Sequence, residues 1–399
     1  MNEAEYIQYR KKQAEELTAL FYQSMAEHDI VKNRIVFSSF EGDGGFCCNP
    51  RYIAEELIKR GGYELVWLTH EPTVHKFPQE VRVVEDTREN QAYWLSTAQI
   101  WIDNYRKPLG TIKREGQIYI QTWHASMGFK AVGLYRGDKF PKIARLISEA
   151  DSLMIDYMLS NSEYCDRVYP KKMLYCGKTI RSGFPRCDCL IKSKEELRKK
   201  IRKQYNIPLD AKLAIYAPTF RGGTQRGEKN VSISEPFLNF GKLKTVLSYK
   251  FGGEWFFLLR LHPQLAAKYN KLPIRNATEN MIDVSMYEDM SELLGSCDVL
   301  ITDYSSCAFD ALFAHIPVFL YAEDVQEYIQ NRGKFMWSKE QLPFSMAETD
   351  EELTHNIVEY DKGIYIQKAD AFMRKYGVIE NGNASKTVVD TIEKILNKG

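Results

Sequence analysis

Residues 34–40, RIVFSSF, are a short β-branched and aromatic run that ends in the Gly-rich EGDGGFCCNP. RYIAEELIKRGG then carries apolar residues at helical spacing up to Gly61 and Gly62. The succession repeats. YELVWLT, VRVVED, QIWIDN and QIYIQTWH read as further strands in the first half, with helical or loop material between them. SKEELRKKIRKQYNI (193–207) predicts a charged helix, after which KLAIYAPTF, EWFFLLRLHP, MIDVSM and DVLITDYSSCAFDALFAHIPVFLYA restart the alternation. Strands alternating with helices, and polar or Gly-rich residues at strand C-termini, predict parallel doubly wound sheets. The expected architecture is α/β: two such sheets in tandem, leaving a cleft between their C-terminal edges.

Residues 3–27 predict one helix, with Tyr6, Tyr9, Leu17, Leu20, Phe21 and Met25 leaning to one side, and 384–399 an amphipathic one. The expected division is an N-terminal helix at 1–30, a first doubly wound domain at 31–192, a second at 193–375 and a C-terminal helix at 376–399. Neither solenoid repeats nor low-complexity tracts occur.

Composition narrows the class. A chain of 399 residues with 44% hydrophobic and 27% charged residues suits two soluble domains. The net charge of +1 gives no global field for nucleic acid, so no nucleic-acid partner is expected. The eight Cys lack C-x-x-C spacing and read as reduced structural thiols. With no signal-like segment and no apolar run near the roughly 18 residues of a spanning helix, the expected location is cytoplasmic, or peripheral on the inner face of a membrane.

Five clusters carry chemistry, nearly all just after a strand. In ITDYSSCAFDALF, Thr302 and Asp303 enter a turn and Ser305 and Ser306 sit where a helix starts, an arrangement that serves equally as an N-cap and as a phosphate site. In LLRLHPQL, Arg260 and His262 share a face if the strand continues, and His262 is either structural or a donor to a phosphate oxygen. In YAPTFRGG, Thr219 and Arg221 lead a Gly-rich loop, with Arg221 suited to bidentate phosphate contact or to an ordinary surface loop. In SGFPRCDCL, Arg186 stands at the join, as a hinge contact or a ligand-binding residue. In QTWHASMGFK, His124 suits a base, Lys130 an anion contact, and Ser126 retains a hydroxyl. D-x-D is absent, so neither a metal on that motif nor any other cofactor is expected.

Trp-His followed by small residues and Lys, then G-x-P-R-x-D, Y-A-P-T-x-R, R-x-H-P and T-D-Y-S-S-x-x-F-D, resembles the CDP-glycerol glycerophosphotransferases of teichoic acid synthesis; NPRYIAEEL looks like theirs too. The resemblance implies transfer of glycerol phosphate from CDP-glycerol to a hydroxyl of an undecaprenyl-pyrophosphate-linked glycan acceptor, with CMP released, at the cytoplasmic membrane surface. It implies a GT-B-like fold of two Rossmann-like domains facing a cleft, the acceptor domain at 31–192 and the CDP-polyol donor domain at 193–375, with His124 as catalytic base, His262 as a phosphate contact, and Ser305 and Ser306 at the donor phosphates. Asp303 and Asp310 belong to the same motif, with a role at the ribose or in shaping the loop. Ala125, Ser126 and Met127 depart from the family's usual Gly-Thr-Pro, and Phe220 stands where Trp is common. The readings kept beside this one are a ribitol-phosphate transferase, a nucleotide-sugar-dependent GT-B glycosyltransferase and a silent scaffold. A primase or short-chain transferase is expected over a processive polymerase, and a homo-oligomer is compatible with the chain.

Overall fold

The structure is a computed structural model that describes residues 2–125, 127–219, 238–261 and 280–397. It contains two parallel sheets. The first is built from β1 (Val31–Ser38), β2 (Glu64–Thr69), β3 (Val81–Glu85), β4 (Ala98–Asp103), β5 (Ile118–Gln121), β6 (Tyr157–Ser160) and β7 (Lys178–Arg181) in the order β3-β2-β1-β4-β5-β6-β7. The second comprises β8 (Lys212–Ala217), β9 (Trp255–Leu259), β10 (Met281–Asp283), β11 (Val299–Thr302), β12 (Val318–Tyr321) and β13 (Ser345–Ala347), ordered β10-β9-β8-β11-β12-β13. Each sheet runs outward from its first strand and then reverses, so each has a topological switch point: β1/β4 in one, β8/β11 in the other. The alternating strands and helices therefore form the expected α/β fold.

The chain divides into two compact units: Met1–Ser126 with Val132–Asp188 and Gly377–Gly399, and Met127–Ala131 with Cys189–Tyr376. In the first unit, strands β1, β2 and β4 are apolar on both faces, as helix-covered parallel strands must be; Phe37, Trp67 and Trp101 are fully buried. The helix Glu3–Glu27 opens with an Asn2/Glu5 capping box and buries Leu17 and Phe21. It is tied down by a Ser24–Ser96 hydroxyl bond of 2.7 Å. Of the residues expected on its inner side, Tyr9 is instead exposed.

The helix Ala384–Leu396 returns to the first unit. Its start is held by Asp188, which accepts from the Ala384 and Ser385 amides at 2.9 and 2.8 Å. Glu393 and Asp390 then pair with Arg60 at 2.7 and 2.6 Å. The preceding Glu380 accepts from the Phe184 amide and from Asn161 Nδ2.

In the second unit, Trp255, Phe257, Ile301 and Phe240 fill the core. Five residues from the first half of the sequence belong here. Phe129 is buried against Phe309, 5.0 Å between ring centroids, and its carbonyl accepts from the Met336 amide at 2.8 Å. Trp337 Nε1 donates to the Gly128 carbonyl at 3.0 Å. The WHASMGFK stretch thus contributes to both units.

Candidate functional site

At the switch point of the first unit, β1 and β4 end side by side with Ser38 opposite Asp103. Asn104, the next residue after β4, accepts the Phe40 amide on Oδ1 at 2.8 Å. Phe40 and Glu41 both have left-handed backbones, at φ 48 and 58, a strained conformation for side-chain-bearing residues. Asp103 is buried and bound to Lys107 Nζ at 2.7 Å. Burial pushes its carboxyl above the ordinary range, against the pull of Lys107.

His124 is anchored to this switch point. Its Nδ1 lies 2.9 Å from the Asn104 carbonyl. A carbonyl only accepts, so Nδ1 carries the proton, and neutral imidazole then holds its lone pair on Nε2. The ring stacks on Tyr105, with centroids 5.5 Å apart and planes 12° apart, and touches Phe40 at 5.4 Å.

The backbone before His124 is fixed from several sides. Trp123 has φ 54, its amide donates to Gln121 Oε1 at 2.8 Å, and its carbonyl accepts from Asn49 Nδ2 at 2.8 Å. Asn49 is fully buried, and its Oδ1 accepts the Arg186 amide at 3.1 Å. One amide side chain thus joins NPRYI, the Trp-His loop and SGFPR. Asn49 carried no role in the sequence reading; the signal was its place at the start of a motif whose side chains otherwise read as helix. On the other side of His124, the buried Lys172 donates to the Ala125 carbonyl.

The second unit repeats the switch-point device. Asp303, the next residue after β11, accepts the Thr219 amide on both oxygens at 2.9 Å, and its Oδ1 also accepts its neighbour's Tyr304 amide. Thr302 Oγ1 donates to the Ala217 carbonyl at 2.6 Å. Ser305 and Ser306 follow, half-buried, at the start of the helix Cys307–Phe313, where backbone N–H groups lack intrahelical partners. Ser306 makes no side-chain cap bond. Cys307 is no candidate nucleophile: burial pushes its thiol up to about 12. Asp310 is buried on the first turn of the helix.

Of the residues singled out in the sequence, Thr219, Asp303, Ser305 and Ser306 come together at the β8/β11 switch. Arg260 stands just past β9 and donates to the Val284 and Ser285 carbonyls, bracing the strand end. Arg186 is buried, its guanidinium 4.8 Å from the Phe184 ring. Lys130 pairs with Phe335 in an isolated bridge and lies 5.9 Å from the Tyr328 ring, within the second unit. Ser126, Arg221 and His262 lie outside the described residues. Among the described residues, no group of three His, Cys, Asp or Glu is disposed to hold a metal ion, and no helix is long and apolar enough to cross a membrane.

Comparison with known proteins gives the family. The chain is 31% identical over 388 residues to the teichoic acid poly(glycerol phosphate) polymerase of Staphylococcus epidermidis, covering 92% of this chain and 51% of that protein. It is 29% identical to the teichoic acid glycerol-phosphate transferase of Staphylococcus aureus, covering 91% and 93%. The chain therefore spans about half the length of the first relative and nearly all of the second. A solved structure of a variant of the wall teichoic acid polymerase TagF, soaked with CDPG, superposes with a TM-score of 0.81 at 27% identity, covering 100% of this chain and 98% of that one. The profile of the CDP-glycerol:poly(glycerophosphate) glycerophosphotransferases matches residues 20–394, and the chain belongs to that family.

Proposed function

We propose that this chain transfers glycerol phosphate from CDP-glycerol to a hydroxyl of a lipid-linked glycan, releasing CMP, in the synthesis of teichoic acid or a related envelope polymer. The observation that carries the reading is the Nδ1–carbonyl bond of His124, which makes Nε2 the basic nitrogen at a switch point. Family membership supports the donor.

In this mechanism the acceptor hydroxyl oxygen attacks the glycerol-bearing phosphorus, and His124 takes its proton. The bond from that phosphorus to the bridging oxygen breaks and CMP leaves with the electron pair. A phosphodiester forms. Phosphoryl transfer of this kind needs mainly positioning and charge stabilisation. The Ser305–Ser306 turn offers hydroxyls and backbone N–H groups to the donor phosphates, and Asp303 holds the turn in shape through the Thr219 amide. His262 is assigned to the same phosphates by the resemblance, and Arg221 by the suitability of its guanidinium for bidentate phosphate contact. The acceptor lipid puts the reaction at the inner face of the membrane.

The test is incubation with CDP-glycerol or CDP-ribitol and a synthetic lipid-linked disaccharide, read by mass spectrometry. The expected product gains one or more glycerol-phosphate units, with CMP in equal amount. Product only from CDP-ribitol would move the reading to a ribitol-phosphate transferase, and product from neither would remove it.

A further inference from the structure

The first unit contains a cavity of about 250 Å³ that the proposed chemistry does not use. It lies over the C-terminal ends of β1, β2 and β4. Arg10, Glu41, His70, Asp86, Asp103 and Lys107 line it. We propose that this cavity receives a single hydroxyl-rich unit, a polyol or a sugar. Resting on the functional reading above, that unit is the end of the acceptor.

Three observations select hydroxyls. First, the cations are already engaged within the protein. Lys107 Nζ is bound to Asp103 at 2.7 Å, and Arg10 donates to the Tyr6 hydroxyl at 3.1 Å. The neighbouring Arg106, also on the wall, is held by Asp151, Ser148, Ser152 and the Met173 carbonyl. Each of Lys107 and Arg10 keeps further N–H groups, and the walls also hold unsatisfied acceptors: Asp86 Oδ1 is buried without a hydrogen-bond partner, and no described residue donates a hydrogen bond to Glu41. A ligand for walls of both kinds must donate as well as accept, as hydroxyls do and ionised phosphate oxygens do not. Second, burial raises both carboxyls, with Gln91 and Lys107 pulling Asp86 back and Asp103 and Asp43 adding to the rise at Glu41. Added donors would relieve this. Third, pockets for drug-sized ligands run to roughly 300–1,000 Å³, so this one is matched to a single sugar or polyol rather than a nucleotide.

The cavity is also built beside the proposed base. Glu41 follows Phe40, whose ring meets His124 at 5.4 Å, and Asp103 precedes Asn104, which anchors His124 Nδ1. Gly42, at φ 89, keeps the wall open: a Cβ there would come within 2.8 Å of Asp86 Oδ2 and 3.1 Å of the His70 ring.

The experiment is ligand-observed NMR titration of the full chain with glycerol, ribitol, a methyl hexoside and glycerophosphoglycerol, with ethylamine as an amine control. Glu41→Gln and Asp86→Asn are compared with wild type, and melting temperatures show that each variant is folded. The expected result is binding of at least one hydroxylated probe, weakened at least tenfold in both variants. Equal affinity in wild type and both variants, no binding of any hydroxylated probe to wild type, or binding of ethylamine alone would overturn the proposal. Transfer from CDP-glycerol is measured on the same sample. Transfer without hydroxyl-probe binding removes this inference only; variant-sensitive binding without transfer removes the functional reading only.

Discussion

Asp303 takes the Thr219 amide on both carboxylate oxygens, each at 2.9 Å. The first unit has the same bond at the same place: Asn104, one residue past β4, takes the amide of Phe40, two residues past β1. In each sheet the fourth strand's exit residue fixes the first strand's exit loop across the switch point, where open α/β sheets bind ligands. Replacing Asp303 with Ala leaves the Thr219 amide without this acceptor, at a cost of about 1–3 kcal/mol. The expected outcome is a lowered melting temperature and a higher KM for CDP-glycerol. Asp303→Asn keeps one acceptor oxygen and should recover most of the stability. Equal loss in both variants would mean that the negative charge, not the hydrogen bond, is what matters.

His124 is proposed to act on the acceptor's proton, so its loss should appear in turnover and not in donor affinity. General-base catalysis contributes about 10²- to 10⁴-fold. His124→Ala should therefore lower kcat by that range while the dissociation constant for CDP-glycerol, measured by calorimetry, stays within about twofold. Turnover near wild type would remove the base assignment.

Asn49 uses both ends of its amide, donating to the Trp123 carbonyl and accepting from the Arg186 amide. Asn49→Asp keeps the acceptor but turns the donor into an oxygen facing a carbonyl oxygen. It should therefore disturb the strained Trp123 backbone more than it disturbs Arg186. The expected result is a kcat reduced at least tenfold with donor affinity retained, because the His124 ring loses its fixed approach. Full activity in Asn49→Asp would show that Gln121 and Lys172 position the loop without it.

Much of this was legible along the chain. Each sheet's central strands are short β-branched runs closed by polar or Gly-rich residues, and the two switch-point clusters, Trp-His and Thr-Asp-Tyr-Ser-Ser, stand directly after such runs. What escaped depends on contacts between distant positions. Nothing local marks Asn49 as a bridge, since a buried Asn at a helix start usually reads as a cap. The sequence left Asp303 open between the ribose and the loop, and only the Thr219 amide assigns its hydrogen bonds. Phe129 and Lys130 read as a continuation of the first-half loop, but the second unit's aromatic cluster of Phe309, Phe335 and Phe344 takes up Phe129. Strand β13 is three residues long, too short for a period to appear; the helix at 350–358, by contrast, opens on Thr349, whose hydroxyl accepts the Glu352 amide, a start that the T-D-E-E run itself marks.

The buried Asp151–Arg106 pair should make stability depend on pH in a definite direction. Asp151 is fully buried and accepts from the Lys107 amide, Arg106 and the Tyr119 hydroxyl. Burial pushes its carboxyl up from 3.8 to about 6, against the pull of Arg106. A carboxyl raised on folding binds its proton more tightly in the native state. Its contribution is therefore fully present below the unfolded value near 4 and is lost as pH rises through about 6. The loss amounts to about 3 kcal/mol, taking 1.36 kcal/mol for each tenfold change in proton affinity. Asp103 and Asp86 are shifted in the same direction, so the wild-type melting temperature should fall across this range through several groups together. Asp151→Asn removes one of them. The variant carries a constant penalty for leaving Arg106 without its charged partner, and a constant penalty does not change a slope. Scanning calorimetry from pH 4 to 7 should thus show the wild type losing melting temperature relative to Asp151→Asn, with most of the change between pH 4 and 6.5. Parallel curves would mean that Asp151 is ionised throughout, held so by Arg106.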